Sequence, residues 1–189
     1  MSGFIVLLLF IGAVAMWFIG AYNGLVGKRI ACDNAWSQID IQLKRRHDLI
    51  PNLIETVKGY ASHEKGTLEA VIAARNSAVQ VAGQGAAAQG SAEGALTSTL
   101  NRLCALGEAY PDLKANTNFQ SLQEELSSTE NRIGFARQNY NDCVGLYKTA
   151  KQSFPTNFVA NSFNFEDRAF FELGADEKVA VQAVPQVKF

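Results

Sequence analysis

The sequence predicts an all-α protein, with an N-terminal transmembrane helix followed by an antiparallel bundle of long helices of the four-helix type. Three observations predict it. Phe4 to Ala21 is a run of 18 uncharged, mostly apolar residues, FIVLLLFIGAVAMWFIGA. Two later stretches, Trp36 to Tyr60 and Phe119 to Phe154, carry apolar side chains on a heptad without a slip in register. The connections between the helical patterns are short, which leaves antiparallel neighbours as the natural packing.

At 1.5 Å per residue, the apolar run reaches across the roughly 30 Å of a bilayer's hydrocarbon core. No basic side chain precedes it, so it lacks the n-region of a cleaved signal peptide. Arg29 and Ile30, in place of small residues, precede Cys32 and argue against a lipoprotein site. A retained anchor is the expectation, and the lipid membrane is the first expected partner. Lys28, Arg29, Lys44, Arg45 and Arg46 all follow the run, which predicts a single pass with the N-terminus outside and the bundle in the cytoplasm. Gly20 and Gly24 form a G-x-x-x-G, with Gly27 beyond it. Such spacing lets two helices approach closely in lipid, or else marks a flexible membrane exit. The expected organisation is an anchor over 1–27, a helical bundle over 28–174 and a loose polar tail over 175–189.

The net charge of −1 gives no general affinity for nucleic acid. Cys32, Cys104 and Cys143 contain no C-x-x-C and fit a reducing compartment or simple burial better than a disulfide framework.

In the first soluble helix, one heptad set is Trp36, Leu43, Ile50 and Val57, and the other is Ile39, Arg46, Leu53 and Tyr60. Pro51 falls inside this register and is expected to kink the helix rather than open a new one. A second helix is expected over Ser62 to Ala82, with Leu68, Ile72, Arg75 and Val79 on its apolar stripe. Gly83 to Gly94 (GQGAAAQGSAEG) has no large side chains and reads as a mobile loop. A shorter helix is expected over Ala95 to Tyr110, closed or re-aimed by Pro111. The last helix carries Phe119, Leu126, Ile133, Tyr140, Tyr147 and Phe154 on one set and Leu122, Thr129, Ala136, Cys143 and Ala150 on the other. In an up-down-up-down bundle this helix returns toward the membrane, so Phe154 is expected near the exit at Gly27.

Tyr22-Asn23, the block from Ala35 to Leu53 (with Ala35-Trp36-Ser37-Gln38-Ile39-Asp40 and Lys44-Arg45-Arg46-His47-Asp48-Leu49-Ile50-Pro51-Asn52-Leu53), and Glu55 to Ala61 resemble the LemA family of bacterial membrane proteins. Ala136 to Asn141, Phe154-Pro155-Thr156-Asn157 and Phe170-Phe171-Glu172 are also similar to that family. The resemblance implies a membrane helix bearing a helical bundle at the bacterial inner membrane. It implies no reaction or cofactor. It also suggests envelope stress and an association with membrane proteases.

Chemistry is otherwise scarce. His63-Glu64 lacks the second histidine of a zinc-protease motif, because Thr67 stands there. Neither G-x-S-x-G nor a phosphate loop occurs. No catalytic, cofactor or metal residues are assigned, and a non-enzymatic role is expected. Arg46 stands out because its heptad position points at the seam. A buried guanidinium must be paired, and Asp40, Glu130 or a carboxylate of a neighbouring subunit are the candidates. Phe158, Phe163, Phe165, Phe170 and Phe171 either finish the core or form a membrane-proximal or subunit contact. Gly20, Gly24 and Arg46 are the candidate helix-pairing or oligomer contacts. The reading is a self-associating membrane-anchored scaffold, with an adaptor for a membrane protease or stress protein as the alternative.

Overall fold

A computed structural model describes residues 2–172, among which every regular element is an α-helix. The expected tail over 175–189 lies outside the described residues. Six helices follow in order: α1 Ser2–Lys58, α2 Lys65–Gln80, α3 Ala86–Ala109, α4 Pro111–Lys114, α5 Thr117–Gln152 and α6 Thr156–Ser162. A long apolar N-terminal helix is thus followed by helices that pack against one another.

α1 is 57 residues long and continuous. Its N-terminal part is long and apolar enough to cross a membrane and is not buried by the rest of the chain. Gly20, Gly24 and Gly27 lie within it, so the membrane exit is helix and not a flexible link. Pro51 also lies inside α1 and starts no new helix.

The chain divides into two compact units. Among the described residues, one combines 2–38 with 137–168, and the other combines 39–136 with 169–172.

In the second unit the core is built by Ile50, Leu53 and Val57 of α1, Leu68 and Val71 of α2, Leu96, Leu100 and Leu103 of α3, and Phe119 and Leu126 of α5. Each such side chain contributes about 1.5–3 kcal/mol by leaving water. Pro111 opens α4 at its first turn, where its missing N–H costs nothing. Asn116 caps α5, its side-chain oxygen accepting from the Phe119 N–H at 2.9 Å. Gly107 lets α3 approach this corner closely, since a Cβ there would stand 2.8 Å from the Phe119 ring.

Two expectations are corrected in this unit. The apolar stripe of α2 is Leu68, Val71 and Ala78, while Ile72 and Val79 face outward. The small Ala78 is fully buried in this core. Of the expected loop Gly83–Gly94, only Gly83 to Gly85 connect helices, and α3 begins at Ala86. Gly85 turns the chain at φ +102°, a conformation that side chains other than glycine's resist. Ala86, Gln89, Gly90 and Glu93 are then buried on the same face as Leu96.

In the first unit, α1 pairs with α5 in antiparallel fashion. Trp36 meets the Tyr140 ring edge-on at 5.1 Å, and Cys143 lies close enough to Cys32 to add to the effect of burial in raising its thiol pKa. After α6, residues 163–168 strap back over both helices. The Tyr147 hydroxyl donates to the Glu166 carbonyl at 2.8 Å, Lys151 pairs with Asp167 at 2.8 Å, and Arg168 pairs with Asp33 at 2.8 Å.

Candidate functional site

The most heavily buried charged group is Arg46, 1% exposed in the second unit. The heptad of α1 dictates this, since its neighbours in register, Ile39 and Leu53, are core residues. Its two terminal nitrogens are paired within the chain, while the buried Nε has no hydrogen-bond partner among the described residues. Nη2 donates to the Glu93 carboxylate, and Nη1 donates to Glu130 at 2.5 Å and to the Thr97 hydroxyl at 3.0 Å. The Thr97 hydroxyl in turn donates a hydrogen bond to the Glu93 carbonyl at 3.1 Å. Glu93 and Thr97 are one turn apart on α3, and Glu130 reaches in from α5.

His47 completes the cluster. Its Nε2 lies 3.0 Å from the second Glu93 oxygen, near enough for an ion pair when protonated although not aligned as a hydrogen bond. Arg75 of α2 donates to the His47 carbonyl at 2.9 Å, which ties α2 to the same turn of α1. Burial alone pushes the Glu93 carboxyl up. His47 and Arg46 more than offset this, and the group is held below the ordinary glutamate value of 4.5. The cluster carries two carboxylates against one obligatory cation and one titratable ring. That arrangement locks three helices in register.

Of the partners weighed from the sequence, Glu130 takes Arg46. Asp40 does not, and accepts instead from the Gln89 amide at 3.1 Å. Glu93 escapes the sequence reading because it sits in the stretch expected to be a loop. Two grooves flank the cluster, one of about 280 Å³ along Thr97, Asn101, Ser127 and Asn131, and one of about 430 Å³ along Lys44, His47, Arg75 and Gln89. Among the described residues, no group of three or more His, Cys, Asp or Glu is placed to hold a metal ion.

Gly20 and Gly24 leave open space where a Cβ would stand. The phenylalanines divide. Phe165 is buried in the first unit against Tyr22 and beneath the Arg29 guanidinium, 5.5 Å from its ring. Phe171 is buried in the second unit beside Gly90. Phe158 is exposed, Phe170 is only marginally so, and Phe163 packs one side of its ring on Phe18 and Tyr22 at 5.8 and 4.8 Å. Phe165 and Phe171 therefore serve the fold, and the outward surface belongs to Phe154, Phe158 and Phe163.

The chain is 27% identical to Protein LemA of Metamycoplasma hominis over 176 residues, covering 92% of this chain and 79% of that protein. It is 22% identical to Magnetosome protein MamQ of Magnetospirillum gryphiswaldense over 178 residues, covering 82% and 63%, and 22% identical to Magnetosome protein MamQ 2 of Paramagnetospirillum magneticum over 161 residues, covering 72% and 59%. It thus spans less than two thirds of these magnetosome proteins. Residues 35–189, which hold the Arg46 cluster, match the sequence profile described as LemA family. The chain belongs to the LemA family.

Proposed function

We propose that this protein is a non-catalytic scaffold of the bacterial inner membrane. A single span anchors it, with the N-terminus outside and the helical body in the cytoplasm. It organises membrane or envelope components by assembling with further copies of itself. The observation that carries this reading is the unbroken α1, in which the apolar span and the buried seam at Arg46 belong to one helix. Such a helix fastens a packed body to the bilayer and leaves the Gly20–Gly24 face open for a second anchor. The basic residues that follow the span support the orientation. Relatives named as magnetosome proteins support a place at a membrane.

The test is the native mass of the full-length protein in nanodiscs, with Gly20→Leu/Gly24→Leu beside it. A discrete assembly that shrinks in the variant supports the proposal. A monomer in the unaltered protein ends it and leaves the adaptor to a membrane protease or stress protein as the reading to pursue.

A further inference from the structure

We propose that Phe154, Phe158 and Phe163 form a second membrane contact, seated in the interfacial layer of the bilayer beside the span. This holds whether or not the protein self-associates. The occupant of this surface is lipid, at the level where acyl chains meet headgroups.

The stretch from Gln152 to Phe165, QSFPTNFVANSFNF, contains no charged residue, and neither does α1 before Lys28. These two charge-free stretches meet. Phe163 packs on Phe18 and Tyr22, at the end of the apolar run. α6 buries Val159 and Ala160 against its own unit and turns Phe158 outward. Phe154 is 80% exposed, and its ring meets Phe158 edge-on at 5.9 Å. From Phe158 to Phe163 is five helical steps, about 7.5 Å, so the outward rings stay near the level fixed by Tyr22.

Charge resumes on all three strands of chain at the far edge of this patch. Arg29 covers Phe165, Lys151 pairs with Asp167, and Arg168 pairs with Asp33. Rings on one side of a border and charged groups of both signs on the other match the order of acyl chain and polar headgroup in a bilayer. In water the same rings would form an uncompensated apolar patch. Continuity with the span therefore identifies lipid as what covers them. The strap's three anchoring contacts, to α5 and to α1, hold the rings in place.

The test places a tryptophan probe at position 158 in full-length protein in nanodiscs, with Trp17→Phe and Trp36→Phe removing the native emitters. Lipids brominated along the acyl chain serve as quenchers. Phe158→Trp is expected to lose emission most with bromines near the carbonyl and less with bromines near the chain terminus. Leu146→Trp, exposed in the same unit, is expected to respond to aqueous iodide instead. Should the probe at position 158 answer to iodide like the one at position 146, the surface lies in water and the proposal fails. Shielding from both quenchers means that protein covers it, which overturns the proposal equally. If that background does not fold, benzoylphenylalanine at position 154 in the otherwise unaltered chain gives the same decision. A photoadduct with the mass of one phospholipid supports the proposal, and a protein crosslink or no adduct overturns it.

Discussion

Arg46 on α1 donates to Glu93 on α3, and both side chains are at least 95% buried. The pair exists wholly inside the bundle, with Glu130, 37% exposed, on its solvent side. Desolvation makes such a pair poor as a source of net stability, but costly to break from one side.

Arg46→Met is therefore expected to destabilise the protein by about 3 kcal/mol, because Glu93 is left buried with its main cation gone. Glu93→Leu is expected to cost a similar amount. The double variant costs well under the sum, since the carboxylate left without its cation, Glu130, is partly solvated rather than fully buried. Thermal melts of the four proteins in nanodiscs measure the cycle. Additive losses would mean that the two residues do not act as a pair.

Glu130→Gln is expected to cost only about 1 kcal/mol, well below either core substitution, because its carboxylate is partly solvated and the amide can still accept from Arg46. The same melts rank the two carboxylates. A larger loss at Glu130 than at Glu93 would invert the reading of the cluster.

The depressed Glu93 pKa fixes a pH dependence. In the unfolded chain this carboxyl binds a proton more readily than in the folded one. Its contribution is thus fully present above the ordinary value of 4.5 and is lost as pH falls through the lower folded value. Unaltered protein is expected to lose stability more steeply than Glu93→Gln below 4.5, with a constant gap above it. Denaturation curves collected over that acidic range decide it, and parallel slopes would assign the acid sensitivity elsewhere.

Two glycines on buried and open faces should respond with opposite signs. Gly134 is exposed inside α5, with open space where a Cβ would stand, so Gly134→Ala is expected to stabilise by about 0.5–1 kcal/mol through helix propensity. Gly107→Ala would press on the buried Phe119 ring and cost about 1–3 kcal/mol, which outweighs that gain. Comparing the two melting temperatures with that of the unaltered protein is sufficient.

What the sequence disclosed depended on large apolar side chains. The span announced itself by hydropathy, and α5 by five heptads that end in the structure at Gln152. Arg46 was legible because it broke an apolar register. Glu93 was not, because its surroundings from Ala86 to Gly94 offered no large side chain to count. Small residues hold that turn of α3 by proximity instead. A Cβ on Gly90 would come within 2.5 Å of the Glu172 carbonyl, a contact that only the folded chain reveals. A signal was nevertheless present. Ala86, Gln89, Glu93, Leu96, Leu100 and Leu103 follow a heptad once polar and small positions are admitted to it. In α2 the error was one of phase. The larger Ile72 and Val79 drew the stripe outward, whereas close packing favours Val71 and Ala78.

The glycines at the membrane exit sit within continuous helix, so the span and the segment bearing Trp36 share one axis. A helix without a joint transmits angle. When the hydrocarbon thickness around it changes, a span relieves the mismatch by leaning. Such a lean would be carried along α1 to Trp36 and its partner Tyr140, tilting the first unit against the bilayer normal. Bilayer thickness thereby becomes an orientation that this unit of the protein adopts.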